Sequence, residues 1–499
     1  MGNEVTKAKI VSSLLWSLLQ RSGVQGIQLL ITLILARLLL PEDFGLIVIV
    51  TIFNTFAIVI VQSGFTTALI QKKKVDHVDL SSVFYVNIIS SSIIYMLLFY
   101  LAPTIAFFFE QQQLILILRV LSLSLFLSAF HSIQYVIVSR NMQFKDLFLA
   151  SSIAHALSGM IAVGMAYADF GVWALVFQQL ASHLITPFLL SFKVEWRPQL
   201  FFSMRNVMQL FSFGWKILVS SLLNAIYSNM HSVIIGKLFS PAMIGYYNKA
   251  DQFPNIIVSN VNGSIQAVML PALSSYQDNR QRVKEMVRRT IVTSSYVVFP
   301  MMIGLAMIAE PLVRLLLTDK WLPTVPFLQI FCMVYALYPI QTANLQAINA
   351  LGRSDVFLKL EVLKTLLGLG ILIISIQFGL YVMVFGVFIS SVLFTIIDAY
   401  PNKQLLNYGM LEQLRDVFPS LLIALAMGGL LFLTHGLEFS MLTTVFIQII
   451  LGSIIYVVLS RIFKLECYEY LRSTLLSILG SSTKKYNLTF YNKEDNKEI

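Results

Sequence analysis

The chain has 499 residues, of which 57% are hydrophobic and only 12% are charged, and its mean hydropathy is +0.78. This composition excludes an ordinary soluble globular protein and predicts an all-α integral membrane protein. The formal net charge of +10 then indicates contact with anionic membrane lipids, and no nucleic acid partner is expected.

Apolar segments long enough to cross a bilayer recur from one end of the chain to the other. We predict about 14 transmembrane helices, each of about 20 residues, near 12–36, 44–68, 80–102, 113–138, 145–168, 171–192, 212–238, 243–270, 290–310, 326–350, 356–377, 380–400, 417–435 and 440–461. No removable signal peptide is expected, because the first residues lack a short apolar stretch with a cleavage site. The two cysteines, Cys332 and Cys467, indicate neither a disulfide nor a metal site.

The lysines and arginines fall mainly in alternate loops. With the N-terminus in the cytoplasm, most of the 35 lie in cytoplasmic loops or tails. The opposite side receives Arg37, Lys237, Arg314 and Lys320. The positive-inside rule therefore predicts that both termini are cytoplasmic.

Two helical segments about 200 residues apart carry the same pattern of polar side chains. The first set is Ser17, Arg21, Gln25, Gln28 and Thr32, and the second is Lys216, Ser220, Asn224, Tyr227 and His231. Steps of four, four, three and four residues keep each set on one helical face. Because polar groups are costly in hydrocarbon, we expect both faces to line a hydrated interior, as in a transporter.

Further matches extend this duplication over most of a six-helix unit. The matched segments are 40–45 with 240–245, 51–66 with 251–266, 140–144 with 353–357 and 170–177 with 378–385. Because six is even, both copies enter the membrane in the same sense, which predicts two six-helix lobes related by a parallel repeat. The domains follow as an N-lobe (1–192), a cytoplasmic linker (193–211), a C-lobe (212–402), two extra helices (403–465) and a cytoplasmic tail (466–499). The alternative is chance similarity among apolar helices.

Two segments outside the predicted spans, 275–289 and the chain after Gly480, are rich in charged or polar residues. Residues 275–289 place Val283, Met286 and Val287 between charged side chains, which predicts a short helix on the inner membrane surface. Either a topological anchor or a regulatory site would fit it. The chain after Gly480 is polar and is predicted to be disordered.

The stretches Leu-Leu-Pro-Glu-Asp-Phe-Gly (39–45) and Ile-Gly-Tyr-Tyr-Asn-Lys-Ala-Asp-Gln (244–252) carry a family resemblance. With the arrangement of twelve plus two helices, they make the chain similar to Wzx-type polysaccharide flippases of the multidrug/oligosaccharidyl-lipid/polysaccharide exporter superfamily, in the colanic-acid-exporter-like branch. Arginine is common in that branch where this chain has Lys249, which retains the charge but loses bidentate geometry. The resemblance covers roughly residues 1–465.

This resemblance implies a function in the bacterial cytoplasmic membrane. It implies flipping of undecaprenyl-diphosphate-linked oligosaccharide units for exopolysaccharide, capsule or O-antigen biosynthesis. It also implies alternating access of a central cationic cavity, no enzymatic activity, and work alongside a polysaccharide polymerase and export machinery.

The residues independently favour an anionic amphiphile. Basic side chains at membrane depth should face a cavity or a partner, because in lipid each would cost a few kcal/mol. Lys364 is expected to pair with Glu361 one turn earlier. The other basic residues at membrane depth are Arg21, Arg119, Lys216 and Lys249. Each could bind a diphosphate or acidic sugars, or could instead pair with a distant acid. The candidate substrate-binding residues are Arg21, Lys216, Lys249, Arg119, Gln25, Gln28, Asn224, Asn255 and Asn262. The amides among them could bind sugar hydroxyls or could equally form hydrogen bonds between helices.

Three acids at membrane depth are candidates for ion coupling. Asp251, Glu361 and Asp398 could carry a proton or a sodium ion, although pairing with a base explains them equally well. No cofactor or metal is expected beyond that ion. His131, His155 and His183 are interpreted as packing residues, because no two share a metal-binding spacing.

Two other functions share parts of this pattern. An ion-coupled multidrug exporter would have the same fold but should place acids in its cavity. A membrane polysaccharide polymerase or ligase should carry its catalytic groups on a sizeable outer loop, and the outer links here are short. Both are less favoured than a flippase.

Overall fold

The computed structural model describes residues 7–276, 278–434 and 440–479, and within these residues the chain is helical with no strand. The helices are α1 (Lys7–Leu38), α2 (Pro41–Gln62), α3 (Phe65–Gln71), α4 (His77–Phe108), α5 (Leu114–Leu121), α6 (Ser124–Asn141), α7 (Phe144–Tyr167), α8 (Val172–Leu190), α9 (Met204–Leu238), α10 (Pro241–Ser274), α11 (Arg280–Met307), α12 (Ala309–Leu316), α13 (Thr324–Ala350), α14 (Ser354–Ser375), α15 (Leu380–Leu406), α16 (Met410–Leu433), α17 (Met441–Ile462) and α18 (Glu466–Leu479). The predicted disorder after Gly480 lies outside the described residues.

The predicted all-α membrane fold is confirmed, but the count of 14 spans is not. Within the described residues, 12 segments are long and apolar enough to cross a membrane, with α5 and α6 forming one of them. The predicted spans near 243–270 and 356–377 are helical, as α10 and α14, but are not among these 12 segments. Four charged residues explain this for α14, namely Asp355, Lys359, Glu361 and Lys364.

The predicted surface helix at 275–289 is wrong. Residues 280–307 form the single continuous helix α11, which starts at Arg280. Val283 and Val287 are fully buried in an apolar cluster rather than lying between charges at a surface. Arg288 Nε also contacts Asp416 Oδ2 at 2.9 Å, so α16 covers this face.

The chain forms two compact units. The first contains Met1–Ile256, Leu312–Phe331 and Gly368–Gly386, and the second contains Ile257–Pro311, Cys332–Leu367 and Val387–Ile499. This division falls inside helices and does not follow the boundaries predicted from the repeat. The lobes at 1–192 and 212–402 therefore stay a prediction.

Within the first unit, one matched pair of motifs is in reciprocal contact. Helix α2 begins at Pro41 and α10 begins at Pro241, as expected of proline in the first helical turn. A Cβ atom on Gly45 would overlap the carbonyl of Pro241, and one on Gly245 would overlap the carbonyl of Pro41. The two copies of the motif thus pack against each other backbone to backbone, which only glycine permits.

A second contact in the first unit joins the end of α1 to residues 312–321. Lys320 Nζ donates to the carbonyl oxygens of Arg37 at 2.8 Å and Leu39 at 2.5 Å. The guanidinium of Arg37 in turn donates to Leu315 and Leu316. Each cation caps the last carbonyls of the other segment's helix, where they otherwise lack partners.

Candidate functional site: a neutral polar cavity

The first unit contains a polar cavity of about 540 Å³, framed mainly by α1, α6, α7 and α8. This volume falls in the range of about 300–1,000 Å³ that small-molecule sites occupy. Three histidines from three different helices reach its wall, namely His131, His155 and His183. The fold thus gathers histidines that are scattered in the sequence, and their interpretation as packing residues stays a prediction.

Amides and hydroxyls make up most of the remaining polar wall. The carboxamides are Gln20, Gln28, Gln178, Gln179 and Gln252. Among the hydroxyls are Thr51, Tyr135, Ser151, Ser158, Ser182 and Thr186. Among the described residues that line the cavity, none is Asp, Glu, Lys or Arg, so the wall offers hydrogen bonds without a permanent charge.

Hydrogen bonds to His155 fix its tautomer. The Gln28 amide nitrogen lies 2.6 Å from His155 Nε2, and because an amide nitrogen only donates, Nε2 accepts. The other ring nitrogen, Nδ1, then carries the proton and donates to the Ser151 carbonyl at 2.7 Å. His155 is thus a neutral imidazole that anchors the Gln28 side chain in the wall.

Two polar atoms in the wall are left without a partner. Thr51 Oγ1 and His131 Nδ1 are both buried and have no hydrogen bond to the described residues. A buried polar atom left unpaired costs about 1–3 kcal/mol, so proteins seldom retain one without a reason. Both atoms lie beneath the cavity surface, so the accessible amides and hydroxyls of the wall are the groups that can meet a ligand.

Lys249 lies at the edge of the cavity wall rather than in the open cavity. Its side chain is buried, and its Nζ lies 4.4 Å from the centre of the Phe44 ring. Nζ also donates to Gln252 Oε1 at 3.2 Å, and Gln252 lines the cavity. The described residues include no carboxylate within ion-pair distance of Lys249. This buried cation therefore contacts the cavity wall only through its hydrogen bond to Gln252.

The other predicted cations are dispersed. Arg21 and Lys216 are exposed, and neither forms an ion pair within the described part of the chain. Arg119 is half-buried and engaged, because its Nε donates to the Phe99 carbonyl at 3.3 Å and its guanidinium covers the Phe99 ring at 4.0 Å. Their roles in substrate binding stay predictions.

The predicted amides also separate. Gln28 lines the cavity, and Gln25 is half-buried on the same helix but does not line it. Asn224 is exposed and accepts from Ser228 at 3.3 Å. Asn255 and Asn262 are half-buried on α10, and Asn262 Oδ1 has no hydrogen-bond partner within the described residues.

The predicted pair between Lys364 and Glu361 is confirmed, and it is part of a triad in the second unit. Lys364 Nζ lies 2.6 Å from Glu361 and 3.1 Å from Asp398, whose side chain is fully buried. A proton or sodium ion at either acid would therefore compete with the ammonium group. Asp251 is half-buried on α10 and has a partner of its own.

Sequence spacing gave no signal for the histidines and for Gln178, Gln179 and Ser182. These residues lie on separate helices, so no single-helix periodicity connects them. A weak signal existed in the density of amides, imidazole and hydroxyl in the α8 segment Gln178–His183, which is unusual for a membrane span.

Sequence comparison identifies the class of protein. The model of the family described as "Polysaccharide biosynthesis protein" matches residues 34–326. The chain is 27% identical over 318 residues to the succinoglycan biosynthesis transport protein ExoT of Rhizobium meliloti, and the alignment spans 64% of each chain, just under two thirds. It is 24% identical to the teichuronic acid biosynthesis protein TuaB of Bacillus subtilis over 70% of this chain and 73% of that protein. It is 23% identical to the lipopolysaccharide biosynthesis protein WzxC of Escherichia coli over 74% of this chain and 75% of that protein.

Solved structures confirm the fold. The lipid II flippase MurJ in an inward closed conformation superposes with a TM-score of 0.75 at 16% identity, covering 90% of this chain and 98% of that one. An inward-facing multidrug resistance MATE family transporter of the MOP superfamily superposes with a TM-score of 0.59 at 14% identity, covering 77% of this chain and 94% of that one. The resemblance to Wzx-type proteins is thereby confirmed, and the chain belongs to the polysaccharide biosynthesis protein family.

Proposed function

We propose that this protein flips undecaprenyl-diphosphate-linked oligosaccharide units across the bacterial cytoplasmic membrane for surface polysaccharide biosynthesis. Residues 1–192 would rock against residues 206–400, so that the glycan and diphosphate pass through the protein while the lipid tail stays in the bilayer. No covalent chemistry is required. The family, the transporter fold and the polar cavity support this proposal.

The cavity is the observation on which the proposal depends. A membrane protein excludes polar side chains from its interior unless they bond one another or a ligand. Here imidazole, amide and hydroxyl groups surround about 540 Å³ of space, and two of their atoms have no partner within the described residues. Such a wall suits the many hydroxyl groups of an oligosaccharide.

Exposed cations provide the second part of the proposal. Arg21 and Lys216 extend from the two matched helices and have no carboxylate partner within the described residues. We assign them to the diphosphate, where arginine can bond two oxygens and lysine acts as a point charge. Membrane insertion with both termini in the cytoplasm would let them meet the substrate from the inner side.

Reconstitution into liposomes tests this function directly. Purified protein is inserted into vesicles with a fluorescent undecaprenyl-diphosphate-linked oligosaccharide, and arrival in the other leaflet is measured by enzymatic cleavage from outside. We expect flipping by the wild type and a loss of about tenfold or more for Arg21→Ala and for Lys216→Ala, because a charge-assisted contact contributes roughly 1.5–3 kcal/mol.

A matched control separates charge removal at the site from charge removal in general. Arg415 is exposed near the start of α16, and Arg415→Ala should flip at the wild-type rate. Undiminished flipping in both test variants would remove Arg21 and Lys216 from the site. Absence of flipping by the wild type in this assay would refute the proposed function.

A further inference from the structure

We propose that the cavity framed by α1, α6, α7 and α8 is a subsite for uncharged sugar residues of the transported glycan, separate from the cations that bind the diphosphate. This inference deepens the proposed function and rests on it. It concerns residues outside the predicted cationic set, apart from Gln28. The hydrogen-bonding groups of the wall and its lack of permanent charge support this inference.

The wall matches the hydrogen-bonding character of a neutral sugar. Each sugar hydroxyl both donates and accepts, so its binding site needs both kinds of group. A carboxamide offers both through its NH₂ and its carbonyl oxygen, and a neutral imidazole offers one of each. Gln178, Gln179 and His183 of α8 supply such groups from one helix, opposite Gln20 and Gln28 of α1.

The same wall is unsuited to an anion. A buried charge is tolerated only when it is paired or heavily hydrogen-bonded. None of the described lining residues carries a permanent charge, and the bordering cation is already occupied, since Lys249 lies under the Phe44 ring and donates to Gln252. A diphosphate or an acidic sugar in this cavity would find no opposite charge in its wall.

The contact of Lys249 with Gln252 also sets the direction of that amide. Because Gln252 Oε1 accepts from Lys249, its NH₂ group is the end available to a cavity ligand. That NH₂ group adds a directed donor to the amides that α1 and α8 contribute to the wall.

Saturation-transfer NMR on the full chain in lipid nanodiscs tests the ligand class, with Arg21→Ala/Lys216→Ala as the protein so that the exposed cations cannot hold an acidic probe. The probes are maltotetraose, which is uncharged, and tetragalacturonate, which carries four carboxylates. We expect saturation of maltotetraose protons and at least fivefold weaker saturation of tetragalacturonate. Equal signals from both probes, or a stronger acidic signal, would overturn the inference.

Variants then locate the binding. The double variant His155→Leu/Gln178→Leu should weaken the maltotetraose signal about tenfold, because a lost hydrogen bond to a buried group costs about 1–3 kcal/mol. Gln178→Leu alone covers the case in which the double variant fails to fold, and it should weaken the signal about fivefold. The control Gln377→Leu changes the same side chain at an exposed position after α14 and should retain the full signal. An unchanged signal in folded Gln178→Leu would place the binding elsewhere.

Flipping measured on the same preparations separates the two proposals. If the wild type binds maltotetraose but moves no lipid-linked substrate, the proposed function fails and the subsite stands. If the wild type flips its substrate but Arg21→Ala/Lys216→Ala shows no preference for the uncharged probe, the subsite fails and the function stands.

Discussion

Two regions that the predicted repeat relates to each other have opposite chemistry. The match of residues 170–177 with 378–385 predicts that α7 and α8 correspond to α14 and α15. In the first pair, His155 and Ser182 face a cavity with neutral groups. In the second pair, Lys364 of α14 meets Asp398 of α15 at 3.1 Å in a buried ion pair.

The difference indicates a division of tasks between the two regions. The ionic groups of α14 and α15 satisfy each other, with Glu361 as the third member at 2.6 Å from Lys364, which suits a region that must hold together. The neutral groups of α7 and α8 line open space instead of pairing across it, which suits a region that receives a ligand. We therefore expect substitutions in the second region to affect stability and those in the first to affect transport.

The largest expected effect is on stability, from removal of the Lys364 ammonium. Lys364→Ala would leave Asp398, whose side chain is fully buried, without its cation. Breaking a buried pair from one side costs about 3–5 kcal/mol. The melting temperature should fall sharply, which a thiol-reactive dye can report, because the free thiols of Cys332 and Cys467 are both buried until the protein unfolds.

A second substitution distinguishes loss of pairing from loss of packing. Replacing both partners in Lys364→Met/Asp398→Leu removes both buried charges and should recover most of the lost stability. If the double variant is as unstable as Lys364→Ala, packing of the lysine stem and not the charge pair is responsible. A fall in transport without any change in melting temperature would instead assign the triad to ion coupling.

The glycine contact shared by the two motif copies offers the next test. In Gly45→Ala, the new Cβ would overlap the carbonyl of Pro241, and a backbone atom cannot rotate away. Overpacking of this kind typically costs about 1–3 kcal/mol, so the melting temperature should drop. Gly26→Ala is the matched control, because nothing lies within 4 Å of its new Cβ and alanine favours a helix interior. Equal effects of the two changes would argue against the close contact.

Much of the fold could be predicted from the sequence, because its signals are local. Apolar length predicts helices near 44–68 and 243–270, and the structure starts them slightly earlier, at Pro41 and Pro241, where proline suits the first turn. The failure at 275–289 has a tertiary cause. Arg288 resembles a surface charge until Asp416 of α16 is brought against it.

The candidate site was less predictable, since spacing tells which residues share a helical face but not where that face points. Of the stripe predicted on α1, Gln28 and Thr32 line the cavity, whereas Arg21 and Gln25 do not, and Gln20 from outside the stripe does. Packing of α1 on α7 sets this rotation. Contact there is close, because a Cβ on Gly159 would overlap the Ile31 side chain.

The smallest expected effects come from a matched pair of glutamines, and they test the division of tasks most directly. Gln341 Nε2 lies 3.1 Å from Ser391 Oγ and 3.0 Å from Thr395 Oγ1, inside the second unit. Gln341→Leu should lower stability by about 1 kcal/mol through these lost bonds and leave flipping per folded molecule unchanged.

Gln28→Leu should do the reverse. Gln28 is exposed to the cavity and bonds His155 at 2.6 Å, so its loss removes a sugar-binding group but little packing. Flipping should fall about fivefold, equivalent to roughly 1 kcal/mol, with the melting temperature within error of the wild type. If the two regions differ in this way, the melting temperature falls only in Gln341→Leu and the flipping rate falls only in Gln28→Leu. If both glutamines change the same property, the neutral cavity is only another way of joining helices, because its amides would then act like those of the second unit.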